Sequence, residues 1–134
     1  MIEQALNIGW DLVLIDSIAE VIDDVRTDMG WDRKTAESWL VDICTQNNKG
    51  NNKENKYTSF LLIQQVTKAG VFVGSNKLKH MTDGLMEMRR EKEGGTYMEF
   101  TKNRNGEVGN KLYFQLTGTQ IIYSNIKESV EDEE

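Results

Sequence analysis

The stretch Asp11-Leu12-Val13-Leu14-Ile15-Asp16-Ser17 decides the fold class. Its apolar run is too short for a helix, is rich in Val, Ile and Leu, and is bounded by acids. That is the pattern of a fully buried strand in a parallel sheet, where both faces are covered. Ser59 to Val66 (SFLLIQQV) repeats it, and Gly84 to Met88 offers a third strand. Tyr97 to Thr101 and Lys111 to Leu116 flank a loop around Asn105-Gly106 and read as a β-hairpin. Thr119 to Tyr123 adds a further strand. Ile2 to Ile8 reads as the end of a helix closed near Gly9. Asp32 or Thr35 caps a helix through about Thr45, with Ala36, Trp39, Leu40 and Ile43 on one face. Asn76 to Met81 fits one or two helical turns. Asp23 to Asp32 is polar and reads as a loop, and Asn47 to Asn55 as a mobile polar connector. The expected architecture is α/β: a mostly parallel sheet with flanking helices and an antiparallel β-hairpin at one edge.

At 134 residues the chain has room for one core. Residues 1–123 are assigned to it and residues 124–134 to an acidic, disordered tail. No apolar run is long enough to span a membrane, and the start of the chain carries no secretory pattern. One Cys and one His cannot build a zinc site. Cys44 reads as a small buried hydrophobe, and the expected compartment is cytoplasmic. The net charge of −6 argues against indiscriminate nucleic-acid binding. From Lys49 to Lys111, however, 12 basic residues face 7 acidic ones, so a basic middle lies between acidic ends. The acidic tail is either a solvated end or a competitor of nucleic acid for the basic loops.

Lys102-Asn103-Arg104-Asn105-Gly106 carries the sharpest chemical signal. Basic side chains at i and i+2 of an extended chain point the same way. Placed just before a turn, they make a two-pronged cationic probe, the device that neutralises developing charge in phosphoryl transfer.

Three motifs, in order, resemble the second half of a RecA-type ATPase core, nearest its RadA and DnaB-helicase branches. Asp11-Leu12-Val13-Leu14-Ile15-Asp16-Ser17-Ile18 resembles the Walker B strand. Gln64-Gln65-Val66-Thr67-Lys68-Ala69-Gly70, with Leu78-Lys79-His80-Met81-Thr82-Asp83, resembles the RadA pattern HVTKEG…LEHMVD. Lys102-Asn103-Arg104-Asn105-Gly106 resembles KNRFG of RadA and the KQRNG finger of DnaB-type helicases. Together they span residues 2–117. The resemblance implies a partial RecA-like core that works on single-stranded DNA in a ring or filament, with ATP and Mg²⁺ as cofactors.

The family's phosphate-binding loop, G-x-x-x-x-G-K-[ST], is missing. In the family it lies upstream of Walker B, with the carboxylate that activates water, and both would precede Met1. The chain is therefore expected to hydrolyse no ATP alone. It is half of a split or truncated ATPase that self-associates or joins a P-loop-bearing subunit, or a module that docks on and modulates an intact relative.

The resemblance assigns roles. Asp16 would hold Mg²⁺, assisted by Ser17; the alternative is a strand-end carboxylate that caps the next turn. Gln65 would sense the γ-phosphate, since an amide both donates and accepts; the alternative is an ordinary strand-end amide. Lys68, Lys77 and Lys79 would contact DNA phosphates without reading sequence, and Phe72 would stack on a base or tuck under its own loop. Lys102 and Arg104 would reach a neighbour's nucleotide; the alternative is edge-strand charge that blocks aggregation.

Overall fold

In the computed structural model, described over residues 2–67 and 76–124, the two apolar runs pair as expected. Strand β1 (Leu12–Asp16) lies parallel to β2 (Ser59–Ile63), with Leu14 opposite Leu61 and Asp16 opposite Ile63. Ahead of them, α1 spans Ile2–Leu6. Helices α2 (Ile18–Met29) and α3 (Arg33–Asn48) form the connection between the two strands. Helix α4 (Asn76–Met81) follows and packs on α3. No helix among the described residues is long and apolar enough to cross a membrane.

The expected loop over Asp23–Asp32 is corrected: most of it is the second half of α2. Asp23, Asp24, Thr27 and Asp28 are poor helix formers, but Ile18, Val21, Ile22 and Val25 recur at helical spacing and settle on the core. Gly30 ends the helix with φ 68°, and its N–H reaches the Arg26 carbonyl. Asp32 does cap α3, accepting from the Thr35 N–H at 2.7 Å. Hydrogen bonding from the Thr35 side chain, and then from its backbone N–H, holds the Asp32 carboxyl below the usual carboxylate range.

The core of this first unit consists of Ile15, Ile18, Ile22, Ala36, Leu40, Val41, Cys44 and Leu78. The face of α3 is turned slightly from the expected one. Ala36 and Leu40 are buried with Val41 and Cys44, while Trp39 and Ile43 are half-buried. Burial pushes the Cys44 thiol up to about 12, so near neutrality it stays protonated and unreactive. A thiol reagent at about pH 8 should label Cys44 negligibly in the native protein and fully in denaturant. Rapid native labelling would contradict its burial.

The Asn-rich segment after α3 is not the bare connector expected. Lys53 N–H donates to the Asn7 carbonyl at 2.8 Å, and Asn48 Nδ2 to the Thr58 carbonyl at 3.0 Å. Asn52 bonds both backbone groups of Lys56. Gly9, at φ +88°, passes so close that a Cβ there would sit 2.6 Å from Asn52 Oδ1.

β1 and β2 are not fully buried either. Val13, Ile15, Phe60 and Leu62 face the core, while Leu12, Leu14, Leu61 and Ile63 on the other face are exposed. A helical layer covers one side of the parallel pair among the described residues.

From Thr82 on the chain forms a second unit, the first being Met1–Met81. Strands β3 (Gly84–Arg90), β4 (Thr96–Asn103), β5 (Lys111–Leu116) and β6 (Ile121–Ser124) make a four-stranded antiparallel meander. The expectation of a mostly parallel sheet is therefore corrected: among the described strands only β1 and β2 are parallel, and they form a sheet of their own. Met86-Glu87-Met88-Arg89 alternates, as half-buried antiparallel strands do. The link between β3 and β4, residues 91–95, is also too short for a parallel crossover. The pairing register places Met86, Met88, Met98, Phe100, Leu112 and Phe114 on one face. On the opposite face Tyr97 and Tyr113 pack at 5.6 Å, and Tyr113 donates to Glu91 at 2.8 Å.

Candidate functional site

The carboxyl ends of parallel strands are where open α/β sheets gather ligands. Here β1 ends at Asp16, and Ser17 turns the chain into α2 through a cis Asp16–Ser17 peptide bond. Ser17 is the N-cap residue in extended conformation, with its side chain making no cap bond. One of the helix's first N–H groups is satisfied from the neighbouring strand: Ala19 N–H donates to Gln64 Oε1 at 3.1 Å. Gln64 Nε2 in turn donates to the Gln65 carbonyl at 3.1 Å. The amide therefore clamps the end of β2 to the start of α2.

The sequence pattern singled out Gln65 and passed over Gln64. A signal was available in the period of two. Phe60 and Leu62 face the helices, so Gln64 continues toward them, whereas Leu61, Ile63 and Gln65 are exposed. Gln65 lies two residues beyond Ile63, the register partner of Asp16. Asp16 and Gln65 thus share one end of the parallel pair, both exposed.

Among the described residues no cluster of three or more His, Cys, Asp or Glu could hold a metal. A Mg²⁺ ion needs only one or two carboxylates when phosphate oxygens and waters complete its shell. Asp16 with the Ser17 hydroxyl could supply only such a partial set, and not an all-protein cage. A separate hollow of about 670 Å³ between α1 and α3 is lined by Glu3, Trp39, Asp42 and Gln46 among others, with no basic side chain. It does not suit a phosphate.

Of the residues expected to meet DNA, Lys68 and Phe72 lie outside the described residues. Lys77 is exposed on α4, and its Nζ donates to Ser38 Oγ at 3.1 Å. Lys79 is half-buried. Two residues apart on a helix, they leave it in roughly opposite directions and do not form one stripe.

Lys102 and Arg104 belong to the second unit. Lys102 lies on β4 opposite Leu85 and is half-buried. Arg104 follows the last residue of β4 and enters a turn, so the simple i, i+2 rule of an extended strand stops short of it. Its position is fixed from β3: Arg104 N–H donates to the Asp83 carbonyl at 2.8 Å, and its guanidinium pairs with the Asp83 carboxylate. Asn103 closes the turn, accepting from the Asn105 N–H at 3.2 Å and donating to the Glu107 carbonyl at 3.3 Å. The Asp83 contact follows from register, since Gly84 pairs with Asn103 and the residues just beyond must meet.

No protein-family model, no curated protein and no solved structure matches this chain.

Proposed function

We propose that this chain is part of a DNA-processing ATPase of RecA type, the half that follows the phosphate-binding loop. The observation that carries the reading is the end of the parallel pair. Asp16 leads directly into the start of α2, Gln64 ties that start to β2, and Gln65 sits beside it. The order of the three sequence motifs supports the same reading, as does Arg104 at the tip of a β-hairpin.

In this reading Asp16 and Ser17 bind Mg²⁺ and Gln65 senses the γ-phosphate of ATP. Lys68, Phe72, Lys77 and Lys79 meet single-stranded DNA, and Lys102 and Arg104 reach a neighbouring subunit's nucleotide. Magnesium supplies charge neutralisation between the phosphates. The phosphate cradle is supplied from outside these residues, which contain no Gly-Lys-Ser/Thr.

A second reading is a non-enzymatic module that docks on an intact relative. It is favoured by the apolar side chains left exposed on each sheet, among them Leu14 and Leu61 on one and Met88 and Leu116 on the other. The two readings differ in hydrolysis: the ATPase half restores turnover to a P-loop subunit, and the module only modulates a turnover already present.

The DNA assignment is tested by anisotropy of a labelled oligo-dT with the assembled protein. Affinity should fall steeply between about 50 and 200 mM salt. Replacing Lys77 and Lys79 by Ala should flatten the log–log salt slope by about one unit for each phosphate no longer neutralised. Absence of binding at low salt removes DNA from the function.

A further inference from the structure

We propose that Asp83 is the positioning partner of Arg104: it holds the guanidinium at the end of β4 until an anionic phosphate chain takes its place. The inference rests on the finger reading above and deepens it by naming the group that presents the finger and the chemistry that releases it.

Two contacts of different character join these residues. The first is the backbone bond, Arg104 N–H to the Asp83 carbonyl at 2.8 Å, which continues the β3–β4 pairing beyond Gly84 and Asn103. It fixes where the side chain leaves the turn. The second is the ion pair between the guanidinium and the Asp83 carboxylate, whose side chains are 58% and 59% exposed. Exposed pairs of this kind are weak, because water screens them and two side chains lose freedom to form them. A guanidinium presents five donors in a planar fork and matches phosphate as well as carboxylate. A polyphosphate carries more charge than one carboxylate and can exchange with it. The backbone bond survives the exchange, so Arg104 is released without losing its place. The neighbouring turn is separately closed by Asn103, so release does not require the hairpin to open.

The arrangement also accounts for specificity toward a multiply charged anion. A monoanion gains too little over the carboxylate already present, while a triphosphate offers several oxygens to the Arg104 fork.

The test uses the full chain with inorganic tripolyphosphate as probe. Binding is followed by the side-chain ¹⁵N–¹H signals of Arg104, assigned by their loss in R104Q, and by the backbone amides of residues 102–106. Asp83→Asn keeps the shape and the backbone carbonyl but removes the competing charge. It should tighten the probe by about two- to fivefold, the scale of one exposed ion pair. Asp83→Glu should return the affinity toward the parent value. Slowed rotation of the guanidinium should be present in the parent and in D83E, and averaged out in D83N.

Four outcomes overturn the proposal. A D83N protein that binds the probe no tighter, while R104Q abolishes binding, removes Asp83's role and leaves the finger standing. Weaker binding in D83N marks Asp83 as part of the turn only. A gain in D83N that persists in the D83N/R104Q double variant is a general charge effect and not release of Arg104. Unchanged probe binding in R104Q removes the finger reading itself, and the role of Asp83 falls with it.

Discussion

Arg104→Ala, assayed as ATP hydrolysis by this chain assembled with a P-loop-bearing subunit, is expected to lower turnover about 10³-fold or more. The physical argument lies in where charge develops. In phosphoryl transfer the equatorial oxygens and the leaving oxygen gain charge in the transition state, and a cation delivered there from outside the site stabilises it selectively. Arg suits the task because its fork binds two oxygens at once and never deprotonates. Arg104→Lys keeps the charge but loses the fork, and should fall between the parent and Ala. Lys102→Ala should lose less, since an ammonium is a point charge on a flexible stem. Nucleotide affinity should change far less than turnover in each case, because the interaction strengthens in the transition state. Full turnover with both Lys102 and Arg104 replaced by Ala would show that the hairpin carries no finger. The remaining explanation would then be surface charge that guards an edge of the sheet.

The second large effect concerns stability. Leu40→Ala should destabilise the first unit by about 2–5 kcal/mol, read from urea unfolding followed by the fluorescence of Trp31 and Trp39. Leu40 is 0% exposed and belongs to the cluster that joins α2 and α3 to the inner face of β1. Truncation removes buried methyl groups and leaves a cavity that close-packed neighbours cannot fill. Against a typical domain stability of about 5–15 kcal/mol, one such change removes a large share. Leu14→Ala is the control: Leu14 lies on the outer face of β1 and is 59% exposed, and its truncation should cost much less. Equal midpoints for the two variants would contradict the burial of Leu40 against the exposure of Leu14. Because the core anchors the ends of β1 and the start of α2, Leu40→Ala should also loosen the Ala19–Gln64 clamp. Local exchange of the Ala19 amide reports that directly.

Features that depend on neighbours along the chain follow from the order of residues alone. The two apolar runs had to be strands, because four consecutive apolar residues, Leu12–Ile15 and Phe60–Ile63, are too few for a helix. The cap was legible as Asp32 or Thr35, and the structure selects Asp32, whose carboxylate folds back on the N–H three residues on. The hairpin carrying Lys102 and Arg104 was legible for the same reason, as two alternating segments flanking an Asn-Gly turn. Cys44 could be placed in the core from its apolar flank.

Tertiary structure decided whatever depended on a partner far along the chain. Helix α2 forms over a stretch of poor helix formers because burial of Ile18 and Ile22 against α3 outweighs their propensities, each worth a fraction of a kcal/mol. The third strand joined an antiparallel meander instead of the parallel pair, because its partner was the nearest strand after a short link. Gln64 rather than Gln65 meets α2, since the choice between adjacent amides rests on which face of β2 the helices cover. Arg104 finds Asp83 only through the register of β3 against β4. Local rules act within one turn or one strand, where the chain cannot avoid its neighbours. Contacts between distant residues exist only once burial has selected which faces meet.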